Sequence, residues 1–242
     1  NPILVEFKGG FLNAVGLPNS GIDNSLGEIE FAMKNAGVPV IPSIFGGTKE
    51  EFGMVAEKMA ALKPQMIEVN LSCPNTASDL GEAFALSETA AADVIRIVKS
   101  KTKVPIIAKL APNVPSIKKI AKAVEEAGAD AISAVNTMPG MVIDVKTGKP
   151  ILHNKQGGVS GHAIKPVAVN CVYDIYEAVK IPIIGIGGVT TGEDAVEMIM
   201  AGAVAVQIGT AIYYRGIDVF RKVSDEIKLF MEQNGYGKIK EM

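Results

Sequence analysis

Short runs rich in Val and Ile alternate along this chain with longer stretches of helical period, and that alternation restricts the fold more than any other feature. The runs fall at 39–44, 66–71, 105–110, 131–135, 181–186 and 205–208. Between them lie helical stretches at 48–62, 87–101, 116–127, 164–179 and 192–201, with another at 217–233 after the last run. Strands that read as nearly unbroken apolar runs are covered on both faces, which implies a parallel sheet with helices packed on it. Thr190-Thr191-Gly192-Glu193-Asp194 supplies capping hydroxyls and early acids at one helix start. In Glu125-Glu126-Ala127-Gly128 a Gly stands at the expected stop of another. A repeated βα unit folds as a doubly wound sheet or as a (β/α)8 barrel.

The end of the chain favours the barrel. Ile184-Gly185-Ile186-Gly187-Gly188-Val189 is followed by Val206-Gln207-Ile208-Gly209-Thr210-Ala211, two consecutive strands that each run into a Gly-bearing turn before a helix. Such turns after strands seven and eight form the phosphate site of many α/β TIM (β/α)8 barrels, where bare N–H groups can surround an anion. The plain alternative is two ordinary turns, since Gly is common in turns of every kind. Counted backwards, the run at 39–44 becomes strand three. Two further βα units of roughly 30 residues each are therefore expected ahead of Asn1. The whole of 1–242 reads as one barrel domain, N-terminally incomplete. Residues 1–22 are expected to be a loop and hairpin above the barrel, leading into a helix over 23–35. A second inserted hairpin is expected at 141–152, turning at 146–149.

Composition excludes little but is consistent. Twenty-four basic residues against twenty-six acidic ones leave a net charge of −2. Without a basic stripe, neither nucleic acid nor an anionic membrane is the expected partner. The longest apolar runs, such as 182–186, are far too short to span a bilayer. The two cysteines, Cys73 and Cys171, sit far apart in dissimilar contexts, which suits a reducing cytoplasm rather than a disulfide framework.

Barrels carry their chemistry at the C-terminal ends of the strands. Those ends present Asn70, Ser72, Cys73 and Asn75, then Lys109, then Asn136 and Thr137, with Asn13, Gly16 and Asn19 in the N-terminal loop. Carboxamides both donate and accept, so a ring of them suits a flat heterocycle bearing alternating N–H and C=O groups. A lysine at the same mouth can stabilise negative charge on a bound ring. The scarcity of carboxylates and His there argues against two-carboxylate glycosidase chemistry and a His-rich metal site. A thiol just past a strand can act as a base if its site lowers its pKa modestly, although a free Cys is often a small buried hydrophobe. Cys171, in a helical stretch, is expected to be of that buried kind.

In order along the chain, these residues resemble the dihydroorotate dehydrogenase family. Asn13-Ala14-Val15-Gly16-Leu17 is similar to its pyrimidine-holding loop, and Asn70-Leu71-Ser72-Cys73-Pro74-Asn75 to its active-site segment, where the Cys position carries the catalytic base. The resemblance implies that Lys109 lies beside an FMN ring. It also implies that Val135-Asn136-Thr137 meets both flavin and pyrimidine, and that Gly187-Gly188 and Gly209-Thr210 grip the FMN phosphate. Gly157-Gly158-Val159-Ser160-Gly161, with Ala163-Ile164-Lys165-Pro166-Val167, is close to the family's next loop and helix. From these follow a substrate set of Asn13, Ala14, Val15, Gly16, Leu17, Asn70, Asn75, Asn136 and Thr137. The corresponding FMN set is Ser43, Asn70, Lys109, Val135, Gly161, Gly187, Gly188, Gly209 and Thr210, with no metal. The implied activity is oxidation of dihydroorotate to orotate in pyrimidine biosynthesis, with Cys73 as base and hydride transfer to FMN.

A Cys rather than a Ser at position 73 resembles the soluble branch. Gly140-Met141-Val142-Ile143-Asp144 and Lys146-Thr147-Gly148-Lys149-Pro150 resemble its NAD-linked type. That type implies a partner subunit bearing FAD and an iron–sulfur cluster, and a homodimeric core. His162 stands where the family commonly has Pro, Ser43 where an Asn near the flavin is usual, and the segment 76–82 is less Gly-rich than the family's lid. Two other readings remain open at this point. One is an FMN-dependent dihydropyrimidine dehydrogenase of uracil type, which tends to carry His where Asn75 stands. The other is a non-catalytic barrel that only binds a phosphate-bearing ligand.

Overall fold

The computed structural model describes residues 2–71 and 87–242, so Ser72, Cys73, Asn75 and the segment 76–82 lie outside the described residues. The chain opens with an antiparallel hairpin, β1 (Leu4–Phe7) and β2 (Gly10–Asn13), and then α1 (Ile22–Asn35). The βα rhythm follows: β3 (Ser43–Ile44), α2 (Lys49–Ala60), β4 (Ile67–Asn70), α3 (Glu88–Lys101), β5 (Ile106–Leu110), α4 (Ile117–Glu126) and β6 (Ala131–Ala134). An insertion adds β7 (Met138–Gly140), β8 (Ile143–Asp144), β9 (Lys149–Pro150) and β10 (Gly157–Ser160). The rhythm then resumes with α5 (Lys165–Tyr176), β11 (Ile183–Ile186), α6 (Gly192–Met200), β12 (Ala205–Gln207), α7 (Ala211–Arg215) and α8 (Val219–Asn234). Four helices begin as their hydroxyls predict: Thr48, Ser87, Ser116 and Thr191 each accept a first-turn N–H, and Asp194 completes a capping box with Thr191.

The parallel strands form one sheet in the order β12-β11-β6-β5-β4-β3. This order never reverses along the sequence. Since crossovers between parallel strands are right-handed, each connecting helix must then lie on the same face of the sheet, which is the winding of a barrel and not of a doubly wound sheet. Accordingly α2 packs on α3, α3 on α4, α4 on α5 and α5 on α6. The helix-facing side chains of the strands, Ile67, Val69, Ile106, Ala108 and Ile132, are wholly buried with them in one core.

Register defines the other face. Asn70 lies beside Lys109, Lys109 beside Ser133, Ser133 beside Ile184, and Ile186 beside Gln207. Because strand side chains alternate, Ser43, Glu68, Asn70, Lys109, Ser133 and Gln207 all point inward, away from the helices. The inner face is therefore markedly polar, although the strands read as apolar runs. At the sheet edges, Ser43 and Ala205 are exposed.

Two expectations need correction, and two features were unforeseen. The run at 39–44 yields only the two-residue strand Ser43–Ile44, because Pro39 and Pro42 have no N–H to give a ladder. The hairpin at 141–152 exists as β8 paired with β9, but shorter. It sits beside a separate antiparallel sheet, β1-β2-β10-β7, that the sequence did not announce. Its strands Met138-Pro139-Gly140 and Gly157-Gly158-Val159-Ser160 carry Gly and Pro and no alternating pattern, so only pairing reveals them, β10 with β2 of the N-terminal hairpin and β7 with β10. The short helix α7 also went unforeseen. Cys171 is buried, as expected of a core thiol, and burial chiefly, with Asp174 adding to it, pushes that thiol up to about 11.

Ile132 fills the helix-facing layer at the centre of the sheet, where little room exists for collapse. Ile132→Ala should lower the stability of the fold by about 2–5 kcal/mol in urea unfolding, with the slope unchanged.

Candidate active site

A cleft opens where the ends of β5, β6, β10, β11 and β12 converge. Lys109, Val135, Asn136 and Thr137 form one wall, and Ser160 and Gly161 come from the end of β10. Gly187, Gly188 and Val189 follow β11, while Gln207, Gly209 and Thr210 follow β12. Nine of the residues expected to serve a ligand thus meet here: Lys109, Val135, Asn136, Thr137, Gly161, Gly187, Gly188, Gly209 and Thr210. Asn70 joins them through its side-chain oxygen, which accepts from Asn136 Nδ2 at 3.1 Å. Asn136 Oδ1 in turn accepts from the Thr137 amide at 2.8 Å. Each carboxamide is thereby oriented, with its partner fixing which end carries N–H groups.

Other expected residues lie elsewhere. Asn13 ends β2, and its Nδ2 donates to the Gly158 carbonyl at 3.1 Å, so its side chain ties the N-terminal hairpin to β10. Ala14 through Leu17 continue from β2 above the sheet, with Ala14 buried and Val15 exposed, and are not among the cleft lining. Ser43 sits at the sheet edge beside a hollow between α1 and α2, and its hydroxyl reaches inward to Glu68 Oε1 at 2.9 Å. Cys73 and Asn75 lie outside the described residues. Glu68, Ser133, Ser160 and Gln207 were missed. Reading only strand ends overlooks Glu68 and Ser133, yet Glu68 stands two residues before Asn70, on the same face of β4.

The turn after β11 is held by charged side chains that are not among the cleft lining. Lys165 Nζ lies 2.7 Å from Asp194 Oδ1, and Asp194 Oδ2 accepts the amides of Thr190 and Thr191, each at 2.9 Å. Arg215 donates to the Thr190 carbonyl at 2.8 Å and pairs with Glu226, linking the end of α7 to the turn after β11. Burial draws the Lys165 ammonium down, but Asp194 and Glu197 together outweigh it and hold it above the usual lysine value. Burial likewise pushes the Asp194 carboxyl up, and Lys165 with the Thr191 and Thr190 amides more than reverses it.

Two glycines show how the turns meet a ligand. At Gly188, φ is +76° and an added Cβ would stand 2.6 Å from Lys165 Cβ and 3.0 Å from the Gly161 carbonyl oxygen. The protein's own packing and backbone conformation already require glycine there. At Gly209 an added Cβ would meet nothing within 4 Å among the described residues beyond its chain neighbours, so the missing side chain leaves open space beside the cleft lining. The amides of Gly188, Val189 and Gly209 donate to no acceptor among the described residues. Open space beside unpaired N–H groups is a cradle for an anion such as a phosphate.

Fold and cleft together define a (β/α)8-barrel protein with a polar mouth and an anion cradle after its last two strands. A solved structure described as DHODH in complex with ferulenol, from Eimeria tenella, superposes with a TM-score of 0.80. The superposition covers 96% of this chain and 70% of that one at 22% identity, a likeness of fold. The family model described as dihydroorotate dehydrogenase matches residues 1–231, and the chain belongs to that family. The "Dihydroorotate dehydrogenase B (NAD(+)), catalytic subunit" of Methanosarcina acetivorans is 48% identical over 100% of this chain and 77% of its own. The protein of the same description from Methanosarcina mazei is 49% identical over 100% of this chain and 76% of its own. That of Methanocaldococcus jannaschii is 49% identical over 96% and 76%. Among the described residues, no helix is long and apolar enough to cross a membrane.

Asp194 yields a pH-dependent expectation. A carboxyl held below its ordinary range stabilises the fold above about pH 3.9, the unfolded value, and loses that contribution as pH falls through its lower folded value. Asp194→Asn should therefore cost about 1–3 kcal/mol at neutral pH. The gap from the parent should narrow as urea unfolding is repeated at successively lower pH, below about 3.9. A gap that stays constant into strong acid would show that Asp194 acts by packing alone.

Proposed function

We propose that this chain is the FMN-dependent catalytic subunit of a dihydroorotate dehydrogenase of the NAD-linked type, oxidising dihydroorotate to orotate in pyrimidine biosynthesis. The observation that carries this reading is the oriented Asn70–Asn136–Thr137 chain next to Lys109 and the anion cradle at Gly209, one cleft suited to a flat heterocycle and to a phosphate. The naming of the relatives as NAD(+) catalytic subunits supports it.

The residues present fit FMN. Gly209, Thr210, Gly187 and Gly188 suit its phosphate, with Gly161 beside them, while Lys109, Asn70, Val135 and, through Glu68, Ser43 serve the ring end. When bound, FMN supplies the hydride acceptor that no amino-acid side chain provides. The protein's own part is to orient the substrate and hold its proton acceptor. Asn70, Asn136 and Thr137 present donors and acceptors to the pyrimidine edge, with Asn13, Ala14, Val15, Gly16, Leu17 and Asn75 completing the substrate contacts. Lys109 offers a positive charge to the negative charge that develops on the ring. By resemblance Cys73 takes the proton from C5 while the C6 hydride leaves, so one proton and one hydride depart together and a C=C bond remains. The relatives' description as a catalytic subunit implies a second subunit. We assign to it FAD and an iron–sulfur cluster that pass electrons to NAD, with a homodimer of this chain at the core and a cytoplasmic setting.

The purified protein should be yellow from FMN and should turn over dihydroorotate. A colourless protein would leave a barrel that binds another phosphate-bearing ligand, and turnover of dihydrouracil in place of dihydroorotate would move it to the uracil-type enzymes. Cys73→Ala should keep its flavin and slow flavin reduction by dihydroorotate by roughly 10²–10⁴-fold, the usual share of a general base. Reduction at the parent's rate would remove Cys73 from that role, whereas Cys73→Ser should retain a weak activity that rises with pH. Gly209→Val should fold normally yet emerge without flavin, because its side chain would occupy the cradle. Full flavin content in that variant would place the phosphate elsewhere.

A further inference from the structure

Glu68 stands two residues before Asn70 on β4, so its side chain points to the same inner face, one layer deeper. That side chain is only 7% exposed, and a carboxylate so removed from water is costly unless donors surround it. They come from four other strands. Ser43 on β3 donates to Oε1 and Ser133 on β6 to Oε2, each at 2.9 Å. Gln207 on β12 donates to Oε2 at 3.3 Å, and Lys109 on β5 brings its ammonium to 3.6 Å from Oε1. Lysine and an amide N–H can only donate, which suits an ionised carboxylate, an acceptor alone.

One member of this set also lines the cleft with opposite charge. Lys109 is the cation of the cleft wall, and Glu68 lies behind it at ion-pair distance. We infer that Glu68 is a positioning residue: it restrains the Lys109 ammonium at the cleft wall and offsets part of its charge, thereby setting how strongly that cation acts on anionic charge in the cleft. The inference rests on the flavin reading above. Ser43 adjusts the same pair, because its hydroxyl competes with Lys109 for the same carboxylate oxygen.

Sulfite tests this in the FMN-loaded full chain. It adds to the oxidised flavin ring as an anion and bleaches its visible absorbance, so its affinity reports positive charge near the ring without any turnover. Glu68→Gln should tighten sulfite binding by roughly tenfold, because the Lys109 charge is then no longer offset at ion-pair distance. Lys109→Met should weaken it. In the Lys109→Met background, Glu68→Gln should shift the affinity by less than about twofold, because the two residues then act as one unit. Equal shifts in both backgrounds would show that Glu68 acts on the ring directly, and an unchanged affinity in flavin-loaded Glu68→Gln would reduce it to core packing. Either result overturns the inference. Should Glu68→Gln not fold, Ser43→Ala at the exposed edge carries the test. With Oε1 released to Lys109, sulfite should bind more weakly, and an unchanged or tighter affinity overturns the inference. Failure of the unmutated chain to take up FMN would instead overturn the flavin reading itself, and this inference with it.

Discussion

A buried carboxylate must find donors, and in this protein that requirement draws the inner face of the sheet to one point. Glu68 receives Ser43, Lys109, Ser133 and Gln207, so five of the six parallel strands contribute a side chain to a single polar centre. Removing any partner leaves the charge undersatisfied in a region where water does not readily replace it. Backbone ladders set which strands are neighbours. The Glu68 contacts bring together residues from strands that are not neighbours, such as β3 and β12 at opposite edges of the sheet. The mouth is built directly on this layer, since Asn70 stands one pleat above Glu68 on β4, level with Lys109 and Ser133.

Above the polar layer, the division of charge is instructive. Lys165 and Arg215 stand near the glycine turns, yet both are spent on structure: one on Asp194 and Glu197, the other on Glu226 and the Thr190 carbonyl. The turn after β11 is therefore held by these charged side chains, while the open space at Gly209 lies beside backbone N–H groups of the cleft lining. An anion bound there would meet directional donors before it met a free side-chain cation. Lys109, on the cleft wall beside Asn70, is itself paired with Glu68.

Much of the fold was legible because its signals are local and repeated. Alternation of apolar runs with helical periods needs only the period of each element, and the capping hydroxyls at Thr48, Ser87, Ser116 and Thr191 mark starts that neighbouring residues determine. The parity that put Lys109 inward follows from the pleat alone. Less was legible where structure depends on distant partners. The sheet β1-β2-β10-β7 joins segments about 145 residues apart through strands of Gly and Pro that carry no pattern of their own. Asn13 stands out as a ligand candidate by its type and motif, while its bond to the Gly158 carbonyl is a contact that no local rule supplies. Glu68 escaped notice because a single acid inside an apolar strand does not itself say whether it is exposed or surrounded.

The sequence by itself determined the βα winding, the two glycine turns and the carboxamides at the strand ends, since each rests on residue types at short, regular spacings, and its motifs carried the family resemblance. Only the tertiary structure decided which residues share the cleft, that Gly188 serves packing while Gly209 serves open space, and that Ser43, Lys109, Ser133 and Gln207 converge on one carboxylate. The physical reason is distance along the chain. Periodicity and capping are settled within a few residues, whereas a donor–acceptor pair or a steric clash exists only after strands far apart in sequence have been laid side by side.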